Sequence, residues 1–254
     1  MLSDLELAKS LIPDVLLAGK AIMKIYQQQT EFEVKQDGSP VTKADLVAEK
    51  IIVSALKHAR SDVSIISEEN VQSHFLKPPK VFFLVDPLDG TKEFLKKDGS
   101  GSFTVNIGLI RNNYPEMGII LAPALNRLFI GARNEGAFEC KDEYFQPLSP
   151  RKLGLKNRIA IASTSHRDSQ TDEWLSSNNV TKTIRAGSSV KFCLLAAGKA
   201  DFYPRFSPTM EWDTAAGDAI LRAAGGMTYT QSNGIFQYGK KAYRNTAFIA
   251  KAQL

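Results

Sequence analysis

The chain has 254 residues, of which 43% are hydrophobic and 23% are charged, and its formal net charge is +5. This composition is typical of a globular protein with one large or two small domains, and it excludes collagen-like and low-complexity chains. The positive charge favours anionic partners only weakly, because the chain has no block of five or more like charges.

The chain begins with a predicted amphipathic helix. Apolar residues recur at intervals close to 3.6 residues from Leu7 to Ile25, and Pro13 is expected to kink or split this helix. A second helix is predicted from Thr42 to about Leu56, where Thr42 and Asp45 have the spacing of an acidic capping box.

Strands are predicted after the second helix. The short apolar run 81–85 ends at a DPLDG turn and is typical of a buried strand. Further runs at 105–109, 117–121, 127–132 and 136–140 predict strands that are joined by turns. This order predicts an α+β part in which helices pack on an antiparallel meander.

A shift toward Pro, Lys and Arg at 146–158 predicts a boundary between two subregions, residues 1–149 and 150–254. Beyond it, strand-like runs alternate with helix-like runs, which predicts an α/β half with a partly parallel sheet. The strand-like runs lie at 158–163, 180–185, 200–205, 226–230 and 247–251, and the helix-like runs lie near 168–177, 188–197 and 214–224.

The segment DPLDGT, residues 86–91, carries two carboxylates in one tight turn. Their repulsion is unfavourable unless a positive charge lies between them, and a hard divalent cation such as Mg²⁺ supplies that charge. Gly90 and Thr91 can then begin a helix whose N–H groups face an anion. The alternative is a plain surface turn, since Asp, Pro and Gly are common turn residues.

Further acidic residues occur near predicted element ends. Glu68 and Glu69 follow a strand-like run, Asp213 directly precedes a small-residue helix, and Asp45 lies near the start of the second helix. Each has an ordinary structural interpretation, which is a solvated surface pair for the glutamates and helix capping for the aspartates. A capping Asp can also bind a metal with its other oxygen, so both interpretations stay open.

Several other motifs are excluded by their spacing. DxxDGT has one residue more than the DxDGT pattern of the haloacid dehalogenase class. An EF-hand loop counted from Asp86 fails, because Leu88 stands at position 3 and Gly90 at position 5. The sequence has no Walker A or GxGxxG motif, and its three histidines and two distant cysteines form no zinc pattern.

In chain order the sequence contains DGSPVTKAD, SEE, DPLDGTKEF and WDTAAG. These motifs resemble the inositol monophosphatase superfamily of magnesium-dependent, lithium-sensitive phosphomonoesterases, and the resemblance covers most of the chain. Within it, TKEF and the segment GSSVKFCLLAAGKADFYPRF are similar to the bacterial 3′(2′),5′-bisphosphate nucleotidases. The resemblance implies an α/β fold, a layered αβαβα sandwich of the inositol monophosphatase and fructose-1,6-bisphosphatase type.

The resemblance also implies a set of metal ligands. Glu68, Asp86 and the backbone carbonyl of Leu88 would hold one Mg²⁺, and Asp86, Asp89 and Asp213 would hold a second. Asp86 therefore bridges the two ions. The family pattern implies two or three Mg²⁺ ions in all and inhibition by Li⁺.

Roles for the water and the phosphate follow from the same resemblance. Thr91 and Asp45 would form a hydrogen-bonded pair that positions and deprotonates the attacking water. The resemblance also implies a catalytic role for Glu68. The amides of Gly90 and Thr91 would hold the phosphate. Contacts with substrate are further expected from metal-site residues, namely Glu68, Leu88, Asp89 and Asp213.

Substrate recognition rests on fewer residues. Ser188, Lys191 and Arg205 match positions that lie near the nucleotide and its second phosphate in the nucleotidase relatives, and two cations suit a bisphosphate. The alternative is that both cations are solvated surface charges. Tyr203 is expected to be a core aromatic rather than a ring stacked on adenine. Glu211 is an unusual neighbour for Asp213, and it either points away or adds negative charge to the site.

The resemblance implies hydrolysis of adenosine 3′,5′-bisphosphate to AMP and phosphate, a step that removes a product of sulfate assimilation. The alternatives are an inositol-1-monophosphatase or broader sugar phosphatase and, outside enzymes, an RNA-associated regulatory relative. The presence of all four acids, Glu68, Asp86, Asp89 and Asp213, favours the enzyme. The expected partner is a phosphorylated nucleotide, not a nucleic acid, and the expected state is a monomer or homodimer.

A cytoplasmic location is predicted from two features of the sequence. Cys140 and Cys193 are too few for a disulfide framework and fit a reducing compartment, although one bridge stays possible. No stretch approaches the ~20 apolar residues of a membrane span, and Asp4 and Glu6 stand where an export signal has basic residues. Peripheral attachment to the cytoplasmic face of the inner membrane stays open.

Overall fold

A computed structural model describes residues 2–28, 32–34, 40–97, 99, 101–141, 144–154, 156–163 and 168–253. The helices and strands in chain order are α1 (Asp4–Tyr26), β1 (Phe32–Val34), β2 (Pro40–Thr42), α2 (Lys43–Ala59), β3 (Ser64–Ser67), β4 (Val81–Asp89), α3 (Thr91–Lys96), β5 (Thr104–Arg111), β6 (Tyr114–Ala122), β7 (Arg127–Ala132), β8 (Gly136–Lys141), β9 (Tyr144–Pro147), β10 (Arg158–Ser163), α4 (Ser169–Ser177), β11 (Val180–Ala186), α5 (Val190–Ala196), β12 (Phe202–Arg205), α6 (Ala215–Ala224), β13 (Met227–Thr230) and β14 (Phe248–Lys251). Short 3₁₀ helices lie at Val71–Phe75, Pro123–Leu125 and Lys241–Tyr243.

Two sheets form the frame of the molecule. The first has seven strands in the order β3-β4-β5-β6-β7-β8-β9, and only β3 and β4 in it run parallel. The second has the order β11-β10-β12-β14-β13, with parallel pairing from β11 to β12 and antiparallel pairing from β12 to β13. The predicted meander and the predicted partly parallel sheet are both confirmed.

The helices lie in three layers around these sheets. α1 and α2 share one apolar core with one face of the seven-stranded sheet. α5 and α6 share a second core with its other face and with the five-stranded sheet. α4 packs on the far side of the five-stranded sheet through Leu175 and Trp174. The layer order is αβαβα, so the predicted fold is confirmed.

Close contact between α6 and the seven-stranded sheet depends on glycine. A Cβ atom at Gly118 would lie 2.1 Å from the carbonyl oxygen of Ala216, and one at Gly108 would lie 2.7 Å from the Cβ of Ala215. Both separations are shorter than van der Waals contact, so α6 can reach this depth only against bare backbone. The first residues of α6 are thereby held close to β5 and β6.

The first helix differs from its prediction. α1 is one uninterrupted helix with Pro13 inside it, and a capping box of Ser3 and Glu6 begins it. The expected split is therefore wrong. Pro13 removes one N–H donor, but Leu11 and Val15 on either side are buried against the sheet and α2, and this packing holds both halves in one helix.

The chain passes from one sheet to the other between Pro147 and Arg158. The division at 149/150 stays a prediction, because α6 from the second part covers the sheet of the first part. Cys140 and Cys193 are both free thiols, so the possible bridge between them is wrong. Among the described residues, no helix combines the length and the apolar character needed to cross a membrane.

Candidate active site

The central carboxylates lie at the end of β4, which continues into the predicted turn. β4 extends through Asp89, and its register against β5 shifts between Asp86 and Asp89, where Pro87 and Leu88 oppose Val105 alone. Such a bulge redirects successive side chains. The amide of Leu88 donates to the Asp86 carboxylate at 3.0 Å, which holds the bulge closed.

Glu68 is brought to Asp86 by strand pairing. β3 runs parallel to β4 with Ser67 opposite Val85, and the Glu68 amide donates to the Val85 carbonyl at 3.0 Å. Glu68 and Asp86 therefore each follow one residue of the Ser67–Val85 pair, at the same end of two neighbouring strands. Glu68 lines the central cavity, whereas Glu69 is not among its lining residues.

Asp213 comes from the other half of the chain. Its carboxylate accepts a hydrogen bond from the Met210 amide at 2.8 Å, and Thr214 is the N-cap residue of α6. The N-cap interpretation of Asp213 is therefore wrong, because its carboxylate turns back into the preceding turn. One carboxylate oxygen from each of Glu68, Asp86 and Asp213 lies within 4.8 Å of the other two.

The charges of this cluster call for a cation. Burial raises the pKa of Asp86 well above its usual value, and the carboxylates of Glu68, Asp89, Asp213 and Asp45 raise it further. Burial likewise raises the pKa of Asp213, with added repulsion from Asp89 and Glu68. A cluster of buried and half-buried carboxylate oxygens is the donor set that Mg²⁺ prefers, so the residues fit this ion.

Asp89 lies in the same cavity but faces a cation. Burial raises its pKa to about 6, against the opposing effect of the Lys191 ammonium and a hydrogen bond from the Ser189 amide. Burial lowers the pKa of Lys191 to about 8, although Asp89 acts to raise it. Asp89 is absent from the group of three carboxylates that the described residues bring within 4.8 Å.

Asp45 and Thr91 form the predicted pair. The Thr91 hydroxyl lies 3.3 Å from the Asp45 carboxylate and 3.2 Å from the Leu88 carbonyl oxygen. The other Asp45 oxygen accepts from the Thr42 amide at 2.8 Å and from the Thr42 hydroxyl at 2.7 Å. The capping box is therefore confirmed, and the same carboxylate reaches the site.

The predicted helix start at Gly90 is confirmed. Gly90 has φ +93° and α3 begins at Thr91. A side chain at Gly90 would meet the Ser188 hydroxyl at 2.5 Å and the Ser102 carbonyl oxygen at 2.8 Å. Glycine is thus required both by the left-handed backbone and by the close approach of two other segments.

A cavity of about 390 Å³ joins these groups. Its lining includes the carboxylates of Glu68, Asp86, Asp89 and Asp213, the Leu88, Gly90 and Thr91 segment, and the predicted recognition residues Ser188, Lys191 and Arg205. Asp45 reaches the cavity through its bond to Thr91. The structure therefore brings all of the predicted site residues to one place.

The recognition residues differ in how they are held. The Ser188 hydroxyl donates to the carbonyl oxygens of Asp89 and Ser102, so it is engaged by backbone. Lys191 is 5% exposed and donates to the Ser188 carbonyl, so the solvated alternative is wrong for this lysine. Arg205 is partly exposed and its Nε lies 3.3 Å from the Ser207 carbonyl oxygen.

The structure shows the surroundings of Tyr203 and Glu211, two neighbours of the site for which the sequence allowed more than one interpretation. Tyr203 is 4% exposed and packs edge-on against Phe192 and Phe248, as expected of a core aromatic. The Glu211 carboxylate points away from the carboxylates of Glu68, Asp86 and Asp213. Its carboxylate accepts from the amides of Gly239 and Lys240 at 2.8 and 2.9 Å and pairs with the Lys240 ammonium.

The sequence profile described as the inositol monophosphatase family matches residues 6–254. The chain belongs to this family. It is 38% identical over 239 residues to the 3′(2′),5′-bisphosphate nucleotidase CysQ of Salmonella typhimurium, covering 91% of this chain and 94% of the relative. The same-named protein of Escherichia coli K12 is 40% identical over 215 residues, covering 82% and 84%.

Solved structures agree with this membership in the inositol monophosphatase family. The crystal structure of CysQ from Bacteroides thetaiotaomicron, a bacterial member of the family, matches with a TM-score of 0.83 and 37% identity over 97% of both chains. An IMPase of Thermotoga maritima matches with a TM-score of 0.77 at 22% identity, which shows the shared fold. The predicted resemblance is therefore confirmed.

A buried polar network beside the family motifs was missed by sequence reasoning. The Ser189 hydroxyl donates to the Asn106 side-chain oxygen at 2.6 Å and lies 2.9 Å from the Thr104 hydroxyl, while the Ser189 amide bonds Asp89. Asn106 stands directly opposite Asp86 in the β4–β5 register. The polar Asn106 within the apolar run of β5 was the only signal in the sequence.

Proposed function

We propose that the chain is a magnesium-dependent phosphomonoesterase that hydrolyses adenosine 3′,5′-bisphosphate to AMP and phosphate. The observation that carries this proposal is the cluster of Glu68, Asp86 and Asp213 carboxylates beside the Thr91–Asp45 pair. Support for the nucleotide comes from the relatives, which are called 3′(2′),5′-bisphosphate nucleotidases.

The proposed metal ligands are those that the family resemblance implies. Glu68, Asp86 and the Leu88 carbonyl would hold one Mg²⁺, and Asp86, Asp89 and Asp213 would hold another, of two or three ions in all. When bound, such ions lower the pKa of a water and neutralise phosphate charge. Lithium should compete for one of these positions, so inhibition in the millimolar range is expected and insensitivity would contradict the assignment.

The Thr91–Asp45 pair orients the attacking water. The Thr91 hydroxyl donates to Asp45, so its lone pairs are free to accept a hydrogen bond from the water. The water proton passes to Thr91 as the Thr91 proton passes to Asp45. Two hydrogen bonds from Thr42 hold the Asp45 carboxylate in the orientation that receives this proton.

The phosphorus–oxygen ester bond breaks as the water oxygen attacks phosphorus. Glu68 would help to hold the water, and the amides of Gly90 and Thr91 would donate to the phosphate oxygens. The leaving sugar oxygen takes up a proton from solvent, which balances the proton that the attacking water gives up, and phosphate and AMP are the products. Positioning and charge neutralisation account for this step without a covalent phosphoenzyme.

The second phosphate is assigned to Lys191 and Arg205. Both line the cavity, and Lys191, with its pKa of about 8, is mainly protonated at neutral pH. Ser188 contributes by fixing the segment that carries Lys191, because its hydroxyl is bonded to two carbonyl oxygens. Lys191 and Arg205 therefore favour a bisphosphate over a monophosphate.

Phosphate release with Mg²⁺ tests the proposal on adenosine 3′,5′-bisphosphate, inositol 1-phosphate and fructose 1,6-bisphosphate. A large preference for the nucleotide is expected. Arg205→Gln should reduce kcat/KM for the bisphosphate more than for 3′-AMP, which lacks the second phosphate. A preference for inositol 1-phosphate would overturn the nucleotide assignment and keep the metal site. Release from none of them would overturn the enzyme itself.

We also infer a cytoplasmic reaction, for which the free thiols of Cys140 and Cys193 are the support. In that compartment the enzyme would remove the nucleotide product of sulfate assimilation. Cell fractionation tests the location, and recovery with the inner membrane after a low-salt wash would favour the peripheral alternative. A monomer or a homodimer stays the prediction for the oligomeric state, and light scattering tests it.

A further inference from the structure

His74 lies outside the cavity but contacts both segments that carry the clustered carboxylates. His74 is partly buried and stands six residues after Glu68 in the sequence. It belongs to the 3₁₀ helix Val71–Phe75. It is not among the residues that line the cavity. Any effect of His74 on the site must therefore pass through its neighbours.

The first contact is with the segment that carries Glu68. The Nε2 atom of His74 lies 2.8 Å from the carbonyl oxygen of Ser67. A carbonyl oxygen only accepts, so Nε2 carries the hydrogen of this bond. Ser73 adds to the same fixation, because its hydroxyl accepts from the Ser67 amide at 3.1 Å and donates to the Asn70 carbonyl at 2.6 Å.

The second contact is with the segment that carries Asp213. The His74 ring stacks on the Trp212 ring with a centroid separation of 4.6 Å and an interplanar angle of 26°. Trp212 is 4% exposed and directly precedes Asp213.

A neighbouring tyrosine strengthens the same junction. The Tyr243 hydroxyl donates to the Leu76 carbonyl at 3.0 Å, just after the 3₁₀ helix, and the Tyr243 carbonyl accepts from the Glu211 amide at 2.7 Å. The helix is thus joined by side chains to the turn before α6 at two points. Glu68 follows β3, and Asp213 lies between β12 and α6, so this junction connects the two segments that carry them.

We propose that His74 is a positioning residue that fixes the distance between the carboxylates of Glu68 and Asp213 and so sets the affinity for Mg²⁺. Its ring bonds the residue before Glu68 and stacks on the residue before Asp213. The inference rests on the proposed metal-dependent function of this site. It assigns to His74 no contact with the substrate or with the ion.

The test is calorimetric titration of the metal-free protein with Mg²⁺ alone. His74→Ala removes both contacts and should weaken Mg²⁺ binding about tenfold, which is the usual effect of losing support behind a metal ligand. His74→Phe keeps the stacked ring and loses the donor, while His74→Gln keeps a donor and loses the ring. Each of these two should weaken binding by about threefold.

Phe75→Ala is the matched control, because Phe75 is the next residue on the same helix and its side chain is 84% exposed. It should bind Mg²⁺ as the wild type does. At saturating Mg²⁺ the His74 variants should keep KM for the substrate within twofold, since His74 does not line the cavity. The half-saturating Mg²⁺ concentration for turnover should rise in step with the calorimetric constant.

Wild-type Mg²⁺ affinity in His74→Phe and in His74→Gln would overturn the proposal, and these two variants decide the matter if His74→Ala does not fold. A lower melting temperature with unchanged Mg²⁺ affinity would also overturn it, since His74 would then be only structural. Because the titration uses no substrate, an error in the proposed substrate leaves this test intact. A wild-type protein that binds no Mg²⁺ would instead overturn the metal site itself.

Discussion

Substitution of Asp86 by asparagine should have opposite effects on the metal-free and the metal-loaded protein. Asp86 is 1% exposed, and its carboxylate lies within 4.8 Å of those of Glu68 and Asp213. At this separation two unit charges repel by about 3 kcal/mol with an effective dielectric constant of about 20. Asp86→Asn should therefore stabilise the metal-free protein by about 3 kcal/mol at pH 8.

The stabilisation should depend on pH in a defined direction. The pKa of Asp86 is raised above its usual 3.8, so the native wild-type protein holds this proton more tightly than the unfolded chain does. Stability from that proton is complete below about pH 4 and is lost as pH rises toward the native pKa. The advantage of Asp86→Asn over wild type should thus be small at pH 5 and large at pH 8.

Magnesium should reverse the order of stability. A ligand at 1,000 times its dissociation constant stabilises a protein by about 4.1 kcal/mol, which exceeds the advantage of about 3 kcal/mol, and this gain should be lost in Asp86→Asn because the proposed bridging ligand is missing. Turnover should be abolished although the variant is folded. Urea unfolding with a chelator and with Mg²⁺, at pH 5 and pH 8, measures all of these quantities.

Glu173→Gln serves as the control, since it removes an exposed carboxylate on α4. It should leave stability and turnover close to wild type in every condition. Asp86→Asn that destabilises the metal-free protein equally at pH 5 and pH 8 would refute the argument from like charges. Near-normal turnover would refute the bridging role.

Three further substitutions test separate parts of the structure. Thr91→Ala should lower kcat for phosphate release about 10²-fold or more, because it removes the hydroxyl that lies 3.3 Å from Asp45. Gly118→Ala should cost about 3 kcal/mol in urea unfolding and weaken Mg²⁺ binding, because its Cβ would lie 2.1 Å from the Ala216 oxygen. Glu211→Gln should lower stability by about 2 kcal/mol and leave the Mg²⁺ dependence of turnover unchanged, since this carboxylate points away from the cluster.

Each of these three predictions has a control variant or an outcome that would contradict it. Thr91→Ser should keep most of the activity, and a serine variant as inactive as the alanine variant would argue against the hydroxyl. Gly154→Ala introduces a Cβ at ordinary contact distance, 3.4 Å from the nearest atom, and should be close to neutral. A shift in Mg²⁺ dependence for Glu211→Gln would mean that this carboxylate acts on the metal cluster after all.

Long periodic segments of the sequence were sufficient to predict the layers. The stripe in α1 and the alternation after residue 158 had enough residues to show their pattern, and the short apolar run of β4 was marked by the turn motif that follows it. The strands β1 and β9 were missed, because each is a strand of three or four exposed residues without an alternating pattern. The extension of β4 through Asp89 was missed because the bulge breaks the strand's two-residue period.

Only those parts of the candidate site that belong to family motifs could be predicted from the sequence. Glu68, Asp86 and Asp213 come from three distant segments, and the family resemblance, rather than any local pattern, grouped them. The burial of Lys191 was not visible in the sequence, because a helix of seven residues does not reveal which neighbours cover it. His74 was equally hidden, since its two contacts depend on tertiary packing.

The dependence of the seven-stranded sheet on α6 has a consequence for synthesis of the chain. The last strand of that sheet ends at Pro147, but the helix that covers its second face is not complete until Ala224. At about 5–20 residues per second, translation of this interval lasts roughly 4–15 s. During that time the nascent chain presents an apolar sheet face to its surroundings. Slower translation of residues 148–224 would prolong this exposure and increase the demand for chaperones that bind unfinished chains.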